Sequence, residues 1–167
     1  MKKLALILLP LLAACGGTDA REATLPGVSL LENFSMSEAD RLGSRWRLDA
    51  DKGRLDEKKG VITFTSPRIR FYDAGKVSSE VTSRAGSLKM TEKSAVLSDE
   101  VVVTAVRDGM KLATTKLYYS SARAKIWTEE PVTIYKGRTV IKGRGFTANP
   151  DLSEIEIQRQ ETRLAGE

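Results

Sequence analysis

From Trp46 onward, apolar and polar side chains alternate with a period of two, in short runs separated by Gly, Asp, Asn and Ser. Alternation of this kind puts successive side chains on opposite faces of an extended chain, and the interrupting residues are those that turn it. The pattern predicts strands at Trp46–Ala50, Val61–Thr65, Ile69–Phe71, Val77–Thr82, Ser87–Met90, Ala95–Val106, Lys111–Tyr119, Ala124–Thr128, Val132–Tyr135, Thr139–Thr147 and Ile155–Gln158. No amphipathic helix of ordinary length competes with these strands. The class is all-β: a sandwich, a barrel or an open roll.

A repeat lies within the strands. Ser98-Asp99-Glu100-Val101-Val102-Val103, Gly109 and Leu117-Tyr118-Tyr119 align with Thr128-Glu129-Glu130-Pro131-Val132-Thr133, Gly137 and Gly145-Phe146 at offsets of 30, 28 and 28 residues. A looser third copy begins at Arg68-Ile69-Arg70-Phe71, with Gly75 in the turn position. Each copy is a few strands that cannot bury an apolar face alone, so the copies must stack, which favours a roll over a sandwich with long cross-connections.

Two stretches before Trp46 read differently. Gly16 to about Ser35 has no sustained period and reads as a tether, with a docking element at Leu30-Leu31-Glu32-Asn33-Phe34. Ser37 to Arg45 fits either one helical turn capped by Ser37 or a polar entry loop.

At the N-terminus, Lys2 and Lys3 precede Leu4 to Ala14, an apolar run broken only by Pro10. Such a run covers roughly half of a bilayer core about 30 Å thick. A charged start, a short apolar run and small residues at its exit are the parts of a secretory signal peptide. Leu12-Ala13-Ala14-Cys15 resembles the lipobox of bacterial lipoproteins, in which the cysteine is acylated and the signal is cut just before it. Cys15 is the only cysteine in 167 residues, so anchoring gives it a purpose that disulfide pairing does not. The expected organisation is a signal peptide over 1–14, a lipidated N-terminus and tether over 15–36, one β domain over 37–163 and a tail over 164–167.

Composition then narrows the chemistry. The formal charge of +5 falls to +3 without Lys2 and Lys3, a mild excess that suits anionic surfaces without marking a nucleic-acid binder. The chain has no histidine, which removes Ser-His-Asp and Cys-His catalysis and the commonest zinc ligand. Asp99-Glu100 and Glu129-Glu130 recur with the repeat and read as strand-edge or turn residues rather than a paired-carboxylate catalyst. Asp49-Ala50-Asp51-Lys52-Gly53 starts like a calcium loop, but Lys52 intrudes and Gly60 stands where the bidentate glutamate belongs, so it reads as a polar hairpin loop. No catalytic residue, metal ligand or cofactor site is expected.

What remains is binding. Trp46, Leu48, Ile62, Phe64, Ile69, Phe71, Leu88, Met90, Val101, Val103, Leu117, Tyr119, Val132, Ile134 and Phe146 are the candidates for the inner face of the roll. A roll open along one side would offer part of that face as an apolar groove. Arg68, Arg70, Lys76, Lys136, Arg138, Lys142 and Arg144 are the cations available at its rim, although Lys142 and Arg144 share strand phase with Phe146.

Trp46-Arg47-Leu48-Asp49-Ala50, the spacing from Pro67 to Tyr72, the run Leu97 to Val103 followed by Gly109 and Leu117-Tyr118-Tyr119, and Trp127 to Tyr135 together resemble the LptC family, the periplasmic component of lipopolysaccharide export. The resemblance covers about Leu42 to Ile157. It implies an open β-jellyroll that takes lipopolysaccharide from an inner-membrane ABC transporter and passes it to a soluble periplasmic partner of the same fold, with edge strands stacking on partner jellyrolls. Most of that family is held by a transmembrane helix, whereas this chain has a lipobox with Gly16 after the cysteine. The expected location is the periplasmic side of a bacterial membrane, the inner membrane before the outer. The competing reading is a lipoprotein scaffold of the same fold that binds a protein and no lipid.

Overall fold

Eleven strands account for nearly all of the chain described by the structure, a computed structural model that describes residues 26–41 and 43–163. They are β1 (Val28–Asp40), β2 (Gly43–Asp56), β3 (Val61–Thr65), β4 (Arg68–Asp73), β5 (Lys76–Thr82), β6 (Ala85–Lys89), β7 (Ser94–Ala105), β8 (Lys111–Ser120), β9 (Lys125–Lys136), β10 (Thr139–Ala148) and β11 (Ile155–Arg163). Among the described residues no helix is long and apolar enough to cross a membrane. The segment read as a signal peptide, Cys15 and residues 164–167 lie outside the described residues.

The register reduces these strands to one antiparallel meander. Lys52 of β2 pairs with Thr65 of β3, and the same ladder continues with Asp49 opposite Arg68 of β4. β3 and β4 are thus one strand interrupted at Ser66-Pro67. β5 and β6 are likewise one strand interrupted at Ser83-Arg84, paired with β4 at Arg68 to Thr82 and with β3 at Thr65 to Ala85. From β1 to β11 each strand pairs with its neighbours along the meander, so that among the described residues β1 and β11 are the edges of the sheet.

Several strands lose their regular pairing along one line, the corner of the fold. Asn33, Ser66, Asp99, Glu100 and Gly145 adopt left-handed backbone there, with φ of 45°, 50°, 63°, 52° and 77°. Such residues break regular pairing and turn a strand. Ser66 N–H donates to Arg84 O at 2.8 Å and Arg84 N–H to Asp99 O at 2.9 Å, so the corner keeps its backbone groups satisfied. Thr114 Oγ1 donates to Pro131 O at 2.9 Å, closing the same line between β8 and β9.

The corner divides the sheet into two walls that face each other. One carries the β1–β2, β4–β5, β7–β8 and β9–β10 turns along its free lip; the other carries the β2–β3, β6–β7, β8–β9 and β10–β11 turns. The inner faces meet in a single apolar cluster that includes Leu48, Val81, Val103, Leu112, Ile126 and Phe146, each no more than 1% exposed.

Three local expectations are corrected. The tether does not extend to residue 36: from Val28 the chain is β1, whose half-buried Leu31, Phe34 and Met36 fall out of step because Asn33 bends the strand between them. Ser37 to Arg45, apart from Leu42 outside the described residues, is neither helix nor entry loop but the end of β1 and the start of β2. Asp49 to Gly53 is not a hairpin loop; it is β2 passing through the corner, paired with β1 on one side and with β3 and β4 on the other.

Candidate functional site: the interior and its mouth

Of the candidate inner-face residues, Trp46, Leu48, Ile69, Phe71, Val101, Val103, Val132 and Ile134 line one wall, and Ile62, Phe64, Leu88, Leu117, Tyr119 and Phe146 the other; all are buried. Met90 is not among them: it is 38% exposed, one residue past β6, on the lip of the second wall. Pattern reading passed over Val81, Leu97, Leu112, Ile126 and Leu152, which are buried in the same cluster. Leu97 and Ile126 share the inward phase of Val101 and Val132, so alternation alone reaches them, whereas Leu112 is out of step with Leu117 because β8 shifts register between Thr114 and Tyr118, and β5 offers no other candidate to set the phase of Val81. Leu152 sits in the β10–β11 turn with φ of 57°, where no periodicity operates.

Side chains of the two walls touch. The Tyr119 ring packs edge-on to Phe71 at 4.9 Å and to Trp46 at 6.5 Å, between ring centres. Burial pushes the Tyr119 phenol above its ordinary pKa, so it is neutral near pH 7. Beside this aromatic contact, a cleft of about 330 Å³ opens between the lips, bordered by Asp40, Arg45, Asn149 and Pro150.

One carboxylate crosses this mouth. Glu38, near the end of β1, accepts hydrogen bonds from Trp46 Nε1 at 2.8 Å, from Ser121 Oγ at 2.6 Å and from Lys93 Nζ at 3.0 Å. Trp46 is its ladder partner on β2, whereas Lys93 and Ser121 stand in the β6–β7 and β8–β9 turns of the opposite lip. Burial alone would raise the Glu38 pKa; the bonds from Ser121, Lys93 and Trp46 and the charge of Lys93 outweigh it and hold the carboxyl down at about 2. The buried Ser79 hydroxyl makes a second tie, donating to Pro150 O across the mouth.

The candidate cations divide by position. Arg68 and Arg70 lie on the outer face, where Arg70 pairs with Asp49 at 3.2 Å and both reach Glu80. Lys76, Lys136 and Arg138 are exposed at turns of the first lip, with Lys136 Nζ 3.7 Å from Asp108. Lys142 and Arg144 are exposed although Phe146 is buried, because the bulge at Gly145 shifts the phase of β10 between them. Asp99, Glu100 and Glu129 are exposed at the corner, and among the described residues no acidic cluster suited to a metal ion is present.

The crystal structure of LptH from Pseudomonas aeruginosa, described as the LptA-homologous periplasmic component of the conserved lipopolysaccharide transport device, is similar in fold. The TM-score is 0.55 at 14% identity, over 68% of this chain and 82% of that one. None of the curated proteins matches in sequence. The architecture is therefore a β-jellyroll built as one antiparallel meander, the class that the sequence led us to expect. Residues 20–164 match the family described as lipopolysaccharide-assembly, LptC-related, and the chain belongs to the LptC family.

Proposed function

We propose that this protein is a membrane-tethered carrier in the transport of lipopolysaccharide from the inner to the outer membrane. The observation that carries the reading is the apolar cluster running unbroken between two walls from β2 to β10, in a member of the LptC family. Acyl chains gain about 0.8 kcal/mol per methylene removed from water, so an interior of this length, once its walls part, holds them without a specific polar site. Lys76, Lys136 and Arg138 on the lip suit the phosphates of lipid A.

In this reading Cys15 carries the lipid anchor on the periplasmic side of the inner membrane. An ABC transporter supplies both the cargo and the energy. A soluble jellyroll partner receives the cargo at one of the free edges, β1 or β11, whose unpaired backbone groups accept a further strand. The work is transfer, with no chemical step.

Photo-crosslinking tests the proposal. A photoreactive residue placed in turn at Phe71, Val103, Tyr119 and Ile134 should crosslink lipopolysaccharide, and one at Lys111, on the outer face of β8, should not. A folded protein with no crosslink at any inner position would overturn the carrier in favour of a scaffold.

A further inference from the structure

The interior is filled by its own side chains, with Trp46, Phe71 and Tyr119 in contact across the walls. An acyl chain can enter only if the walls part. The backbone ladders do not oppose that motion, because each joins strands that are neighbours along the meander, none bridges the two lips, and their pairing is interrupted at the corner itself. Resistance is concentrated at the mouth, in side chains.

The strongest of these ties is the Glu38 cluster. Glu38 belongs to β1, an edge strand laddered on one side only, and its three donors come from its own wall (Trp46) and from two turns of the other (Lys93 and Ser121). Hydrogen bonds to a charged group are directional and lost over a small displacement, so such a cluster holds two lips in one position and lets go cleanly. An apolar seal would instead slide. The carboxylate is only 17% exposed whereas the Lys93 side chain is 63% exposed, so the cluster can be reached by solvent or by a headgroup from the Lys93 side.

We propose that Glu38, held by Lys93, Ser121 and Trp46, is a latch on the mouth, and that acyl chains enter between the end of β1 and the β6–β7 and β8–β9 turns when it opens. This rests on the carrier reading. It adds where the cargo enters and which residue controls the entry. Met90, exposed on the β6–β7 lip beside Lys93, is the apolar side chain placed to meet the incoming chain first.

The test uses the full chain with Cys15→Ser and spin labels on cysteines placed at Ala74 and Ala122, exposed turn residues on opposite lips. In parallel, the rate at which lipopolysaccharide crosslinks to a photoreactive residue at Phe71 is measured. Glu38→Ala should add a longer label-to-label distance and speed crosslinking by about tenfold, the effect of losing one charge-assisted hydrogen-bonded tie. Lys93→Ala and Ser121→Ala should do the same to a smaller degree, and they preserve the test if Glu38→Ala does not fold. Unchanged distances and rates in all three variants, with crosslinking intact, would overturn the latch and leave the carrier standing. Absence of crosslinking in the reference chain as well as the variants would overturn the carrier and the latch with it.

Discussion

Replacing Glu38 with glutamine keeps the size of the side chain and removes its charge. The carboxyl is held at about 2 against an ordinary 4.5. At about 1.4 kcal/mol per pKa unit, this bounds the contribution at about 3 kcal/mol of stability at pH 7, and solvent screening at the mouth reduces it. Trp46 Nε1 and Ser121 Oγ donate to the same carboxylate oxygen, so the amide oxygen can keep both, but its N–H₂ then faces the Lys93 ammonium, donor against donor. A loss of about 2–3 kcal/mol is expected. Because the folded pKa lies below the unfolded one, the stabilisation is complete above about pH 4.5 and disappears as the pH falls toward 2. The gap between wild type and Glu38→Gln should therefore shrink by about 1 kcal/mol between pH 7 and about pH 3.5. Urea denaturation followed by tryptophan fluorescence measures both quantities, since Trp46 is in the cluster itself. Equal stability at pH 7, or a gap that does not change with pH, would refute the assignment of the shift to these three bonds.

Phe146→Ala removes a fully buried ring and should cost about 3–5 kcal/mol in the same denaturation experiment. Gly86→Ala should cost about 1–3 kcal/mol, because a Cβ there would lie 2.4 Å from the Phe64 ring and 2.9 Å from the Val96 carbonyl, and the backbone contact cannot swing away. On the outer face, Tyr118 and Trp127 stack with ring centres 5.6 Å apart; a double-mutant cycle to alanine should give a coupling of about 0.5–1.5 kcal/mol. By contrast, Arg84→Ala should change stability by less than about 1 kcal/mol although its ion pair with Glu100 is only 2.6 Å long, since both side chains are about two-thirds exposed.

Alternation made the strands after Trp46 legible, because a wall buried on one face must repeat every second residue. The corner was legible only in part. The acidic pairs Asp99-Glu100 and Glu129-Glu130 recur because β7 and β9 cross it in the same sense, which explains the repeat. Ser66-Pro67 and Ser83-Arg84 carry turn-like residues but reverse nothing, so one strand there reads as two. β1 went unseen for a related reason: the bend at Asn33 breaks the phase of its apolar residues, and a bent strand leaves no period. The sequence pattern also gave no sign of the latch. Glu38 lies 55 residues from Lys93 and 83 from Ser121, and only the folding of one wall over the other brings the three together.

The strict order of the meander bears on how the chain acquires its structure. Each ladder closes a hairpin between consecutive strands, so no pairing waits for a distant segment, and the entropy of closing long loops is avoided. Strands can be added one after another from the first hairpin, each finding a ready edge. A chain that emerges from a membrane N-terminus first can then begin to fold before its end has arrived, with β11 the last strand to join.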